Sequence, residues 1–294
     1  MTQEIIQMEF TKVGTEQFVT LAAGTLLWFA LPVAVALIWK IRKKEPLGTI
    51  LIGAATFLVF ALIFEKPVQN LLIFPAQMGL EEHAASRFIN ARPVLLGVLL
   101  GLFPGVFEET GRLVAFKTLL RKRQNKETSI SHGIGHGGFE VILSMGVTYI
   151  TYIVYAFMIN SGGLQELVDL VTAQAPDQAA QVYALASQIA SFSAADLVMP
   201  LVERIFAFMF HVGASILVFY ACRDRKRFWL YPLAILIHTI IDCAAGLSIS
   251  GAIGISAWEI EGVVILFGSF TFFGAYFLLY KKDSGMKGSS AEKL

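Results

Sequence analysis

Seven apolar runs constrain this chain more than any other feature of it. They centre on residues 17–39, 47–64, 93–120, 133–159, 199–221, 229–249 and 257–280, and a helix needs roughly 20 apolar residues to cross the hydrocarbon of a bilayer. Composition agrees: 56% of the residues are hydrophobic and 15% charged, with a mean hydropathy of +0.66, leaving too little polar surface for a soluble chain. The sequence therefore predicts an all-α, polytopic transmembrane helix bundle of about seven spans, a multi-pass protein of the cell membrane with the lipid bilayer as its first partner. A net charge of +1 offers no attraction for nucleic acid. Cys222 and Cys243 lie in different runs without CxxC spacing, so neither a disulfide framework nor a zinc knuckle is expected. The acidic stretch MTQEIIQMEFTKVGTEQ has no basic n-region or small-residue cleavage motif, and no cleaved signal peptide is expected.

Basic residues cluster after runs one, three, five and seven: Lys40, Arg42, Lys43 and Lys44; Arg121, Lys122, Arg123 and Lys126; Arg223, Arg225, Lys226 and Arg227; and Lys281, Lys282, Lys287 and Lys293. All four clusters fall on one side, which the positive-inside rule makes the cytoplasm, placing the N-terminus outside and the C-terminus inside. Trp39, Trp229 and Trp258 stand at run ends, as interfacial aromatics do. We expect residues 1–294 to form a single membrane domain, with 161–197 as an extracytoplasmic helical insertion interrupted at Pro176. The segment 65–92, which carries LLIF, reads as a loop dipping into the interface. No internal repeat is visible, which counts against a secondary transporter.

The runs are interrupted by ionisable residues, each costing on the order of 2.5–3.5 kcal/mol at mid-membrane. Span three holds Glu108, Glu109 and Arg112, and span four His132, His136 and Glu140; span five holds Glu203, Arg204 and His211, and span six His238 and Asp242. Counted from Arg121, Lys126, Arg223 and Arg227, the residues Glu109, His136, His211 and His238 lie 12, 10, 12 and 11 positions in. At about 1.5 Å per residue all four share a depth of roughly 15–18 Å. One convergent site explains a common depth; separate accidents of solvation do not.

Residues three or four apart on a helix share a face. Glu108 and Glu109 are both within reach of Arg112, so one carboxylate can be held by the guanidinium while the other works; His132, His136 and Glu140 form one stripe, and His238 and Asp242 a pair. Arg204 is placed to neutralise Glu140 or Asp242. Gly97, Gly101 and Gly105, with Gly133, Gly135, Gly137 and Gly138, mark spans three and four as a close helix pair, with Pro104 bending span three before its carboxylates. Other polar residues read as structural: His132 lines an entry path, His83 belongs to an outer loop, Cys243 fills the core, and Glu259 and Glu261 favour the start of span seven.

The ordered set Glu108-Glu109-x-x-Arg112, His136-Gly137-x-x-Glu140, Glu203-Arg204 with His211, and His238-x-x-x-Asp242, over about residues 93–245, resembles the intramembrane protease superfamily that includes the CAAX-processing and bacteriocin-processing proteases. Within it the pattern is most similar to the YhfC-type bacterial membrane proteins. Only two residues separate Glu109 from Arg112, where the main CAAX pattern has three; Ala207 replaces a phenylalanine four before His211, and Asp242 a common asparagine.

The resemblance and the residues together lead to an intramembrane hydrolase acting on a membrane-associated peptide or protein. Such chemistry needs a water, a base and donors for the developing oxyanion. Imidazoles with carboxylates suit a divalent metal such as zinc, with His136, His211 and His238 as ligands and Glu140 or Asp242 completing or orienting the set. Glu108 or Glu109 is then the base and Arg112 holds the pair in order. A metal-free version, in which a glutamate and one histidine activate the water, stays open. So do a proton-coupled or metal-ion transporter, for which the same residues would bind cations or relay protons, and a scaffold without catalysis.

Overall fold

The structure is a computed structural model that describes residues 10–174 and 176–283. Lys287 and Lys293 of the fourth basic cluster, and the first nine residues of the acidic N-terminal segment, lie outside the described residues. Among the described residues all regular structure is helical. Seven helices are long and apolar enough to cross a membrane: α1 (Thr15–Lys43), α2 (Leu47–Ile73), α4 (Pro93–Lys117), α5 (Glu127–Ser161), α8 (Ala194–Arg223), α9 (Arg225–Ile249) and α10 (Ala257–Tyr280). Between them, among the described residues, lie the shorter α-helices α3 (Ala84–Asn90), α6 (Gly163–Gln174) and α7 (Pro176–Ala190). Large apolar side chains such as Leu26, Val94, Leu266 and Phe270 are exposed on the spans, as lipid-facing surface requires.

One boundary differs from the sequence expectation. The segment from residue 65 does not open a loop: α2 passes through a π-helical stretch, Leu58–Glu65, and continues to Ile73. The wide turn loosens the intrahelical hydrogen bonding, and Pro67 sits in the first turn after it, where a missing N–H costs least. The connection shrinks accordingly to residues 74–92 and contains α3.

The chain divides into two units, Met1–Leu31 with Val141–Pro200, and Pro32–Glu140 with Leu201–Leu294. In the first, Leu21 and Trp28 of α1 are buried with Tyr149, Ala156 and Ile159 of α5, Leu164 and Val168 of α6, and Ile189 of α7. Trp28 meets Tyr149 edge to face at 5.8 Å. Asn160 fastens the start of the described chain, its Oδ1 accepting from Val13 N and its Nδ2 donating to Val13 O, both at 2.8 Å. Gly162, at φ 83°, ends α5 and turns the chain directly into α6, a conformation that suits glycine.

The second unit carries the intramembrane polar residues. Its glycines set which backbones approach, and here the structure corrects the sequence reading. Gly97, Gly101 and Gly105 of α4 face Leu247, Cys243 and Thr239 of α9, not α5; a methyl group at Gly97 would stand 2.6 Å from the Leu247 Cα. The glycines of α5 face other helices: Gly133 and Gly137 meet Val212 and His211 of α8, Gly135 meets the Ile50 carbonyl of α2, and Gly138 meets Pro32 of α1. A small-residue stripe encodes close approach but not the identity of the partner. Towards the end bearing the basic clusters, Phe116, Leu120, Ile134, Ile216, Phe219 and Tyr280 pack one apolar core.

Candidate active site

The α4–α9 approach brings FEETGR against HTIID. Glu109 and Arg112, three residues apart on α4, are fully buried, and Arg112 Nη1 donates to Glu109 Oε1 at 2.6 Å. The same oxygen accepts from His238 Nδ1 of α9 at 2.9 Å, while His238 Nε2 lies 3.4 Å from Asp242 Oδ2 one turn further on. Arg112 spreads its other donors onto α8: Nη2 to His211 Nδ1 at 2.6 Å and Nε to Ser215 Oγ at 3.3 Å. A guanidinium has no acceptor, so His211 Nδ1 is the accepting nitrogen there. The opposite nitrogen, Nε2, is left to face Glu140, with which it makes a close ion-pair contact.

Glu108 points away from this knot. Its Oε2 lies 2.9 Å from His136 Nε2, 3.9 Å from His211 Nδ1 and 4.0 Å from Arg112 Nη1. One donor atom from each of Glu108, His136 and His211 falls within 4.8 Å of the others, and all three residues are buried. His136 Nδ1 is enclosed without a hydrogen-bond partner. Further along α8, Arg204 Nη1 donates to Glu140 Oε1 at 2.8 Å and also pairs with Glu203.

A cavity of about 270 Å³ opens beside these groups. Its wall includes Glu108, Glu140, Glu203, Arg204, His211, His238, Asp242 and Glu261, with an apolar side made by residues such as Phe210, Ile241 and Val264. Glu108 therefore reaches the cavity, whereas Glu109 and Arg112 stand behind it.

The structure thus gathers the four residues predicted to share a depth. It divides the three predicted imidazole ligands differently: His136 and His211 group with Glu108, while His238 stands between Glu109 and Asp242. Glu140 meets His211 and Arg204; Asp242 keeps a side chain 34% exposed. Arg204 neutralises Glu140, one of its two expected partners. His132 does not line an entry path. It is fully buried, with Nδ1 3.2 Å from Ser215 Oγ and Nε2 3.3 Å from Thr56 Oγ1. His83 is structural, capping α3 by accepting from Ser86 N.

Two carboxylates near the site escape the sequence reading. Glu65, in the π-helical stretch of α2, is 1% exposed and within electrostatic reach of Glu108, His238 and Asp242. Glu261 of α10, expected to serve only the helix start, is buried and lines the cavity. Both sit at the ends of apolar runs, where an acidic residue ordinarily faces water. Outside the spans, burial pushes the Glu45 carboxyl above its ordinary pKa while it accepts from Asn125.

The residues fit a divalent cation. Two imidazoles and a carboxylate form a borderline-soft donor set of the kind zinc takes. The cluster also carries more carboxylates than guanidiniums, an excess that a cation offsets. Comparison with known proteins adds to this. The profile of the family described as YhfC intramembrane metalloprotease matches residues 27–264. A protein of Bacillus subtilis (strain 168) named "Uncharacterized membrane protein YhfC" is 31% identical over 257 residues, covering 86% of this chain and 93% of that protein. No solved structure gives a significant match.

Proposed function

The chain belongs to the YhfC intramembrane metalloprotease family, and from that premise we propose that it hydrolyses a peptide bond of a membrane-embedded or lipid-associated substrate in the Glu108–His211 cavity. The observation that carries this reading is the buried Glu108, His136 and His211 trio, whose donor atoms lie within 4.8 Å of one another, with Glu108 and His211 on the wall of a cavity and His136 directly behind Glu108. Glu108, His136 and His211 would hold a divalent cation, zinc by preference, with His211 giving up its present bond to Arg112 or to Glu140 for the ion; the cation would supply Lewis acidity and acidify a water.

Glu108 is the base. Its Oε2 is turned to the imidazoles, leaving Oε1 to take a proton from the attacking water. His238 and Arg204 stand on the same wall, where their positive character favours the charge that develops on the carbonyl oxygen. Asp242, next to His238, orients that ring. Glu109 and Arg112 do not touch the cavity; they hold His238 and His211 in place through the bonds described above.

The test compares membrane peptides from cells carrying wild-type protein and Glu108→Gln protein, with the purified proteins assayed in nanodiscs. Hydrolysis predicts uncleaved substrate accumulating in the variant, a rate loss of about 10²–10⁴-fold, and bound metal lost when His136 and His211 are both replaced by alanine. Identical peptide sets, together with ion flux through proteoliposomes that depends on Glu108, would make the protein a transporter instead.

A further inference from the structure

Beyond the reaction itself, the cavity wall holds a buried acid that the hydrolysis reading does not use. Glu261 lies one turn into α10, is 8% exposed, and has an enclosed Oε2 that accepts no hydrogen bond. Its side chain is on the cavity wall. The guanidinium on that wall, Arg204, is bonded to Glu140 and Glu203. Glu261 feels the charge of Arg204, but a carboxylate oxygen enclosed without a hydrogen-bond donor is costly, and the cost falls when a cationic group arrives. The surroundings point the same way: five carboxylates share the wall with one guanidinium and two imidazoles, so acidic groups outnumber basic ones around the cavity. Phe210, Ile241 and Val264 add apolar lining suited to a hydrophobic segment.

We propose that Glu261 is a specificity residue, receiving the ammonium or guanidinium of a basic side chain that lies near the scissile bond of an otherwise apolar peptide. This deepens the hydrolysis reading and rests on it for the word "scissile". Peptide capture by the cavity is measurable without cleavage. A buried, charge-assisted hydrogen bond is worth enough to separate a lysine peptide from its neutral isostere by about tenfold in affinity.

The test uses the full chain with Glu108→Gln in nanodiscs, so that no cleavage interferes, and three synthetic peptides of about 20 residues spanning the bilayer, alike except for a central lysine, norleucine or glutamate. The expected result is at least about tenfold tighter binding of the lysine peptide than of the norleucine peptide. That ratio falls to near one with Glu261→Gln and turns towards the glutamate peptide with Glu261→Lys. Thermal unfolding of Glu261→Gln, close in shape to the native side chain, checks that the fold is retained. Equal binding of lysine and norleucine peptides, or a preference that survives Glu261→Gln, overturns the proposal. So does a divalent cation that binds the Glu261 protein but not the Gln variant and erases the preference, since Glu261 would then be an inorganic cation site. If wild-type protein cleaves nothing yet the lysine preference holds and depends on Glu261, the hydrolysis reading fails and the binding assignment stands.

Discussion

Arg112 concentrates the energetics of the site in one side chain. It is fully buried and bonds Glu109, His211 and Ser215 from a single guanidinium, an arrangement that a lysine, with one point of charge, does not reproduce. Removing one member of a buried charge pair leaves the other uncompensated, at about 3–5 kcal/mol. Arg112→Leu is therefore expected to lower thermal stability in detergent by that order, and Glu109→Gln by less, because the amide keeps a partner for His238. A melting temperature unchanged in Arg112→Leu would show the pair to be energetically idle. The sequence announced this pair through its i, i+3 spacing. It did not announce that Glu109 would be the carboxylate held and Glu108 the one in the cavity, because adjacent residues point about 100° apart on a helix and only the neighbouring helices decide which direction is inward.

At the scale of the element, glycines govern how closely the spans approach. The α2–α5 crossing puts Gly135 against the Ile50 carbonyl and Gly53 against the His132 carbonyl, whereas Gly262 and Gly274 of α10 have open space where a side chain would stand. Gly135→Ala is expected to cost about 1–3 kcal/mol by overpacking and to reduce activity with it, since His136 is the next residue. Gly262→Ala should change stability by less than about 1 kcal/mol; urea-dependent unfolding of both variants in mixed micelles checks the contrast. Helix existence and approximate length were legible because the bilayer fixes both. The pairing of α4 with α9 was not, since a stripe of small residues says only that something packs there. Glu65 was hidden for a related reason: the π-helical stretch carries α2 past the acidic residue at which an apolar run ordinarily stops.

For the whole molecule, topology follows from charge. The basic clusters at Lys40–Lys44, Arg121–Lys126, Arg223–Arg227 and Lys281–Lys282 predict that the connection between α9 and α10 faces outward and that between α4 and α5 inward. In a chain with Cys222 and Cys243 replaced, Ser250→Cys should react with a membrane-impermeant maleimide on intact cells, and Gln124→Cys only after permeabilisation. The opposite pattern would invert the orientation. Seven spans and a convergent polar cluster could be read from the sequence because hydropathy and depth are properties of each run alone. How the cluster divides, with His136 and His211 on Glu108 but His238 on Glu109, depends on side-chain directions that no single run encodes. The Glu109–Arg112 bond also bears on biogenesis. Its two ends are three residues apart, whereas Ser215 is 103 residues beyond Arg112 and His238 is 129 beyond Glu109. As the nascent chain leaves the ribosome, α4 can enter the lipid with an acid and a base already neutralising one another on its own surface. The later helices then inherit a half-built polar centre to dock onto, rather than having to rescue a stranded charge.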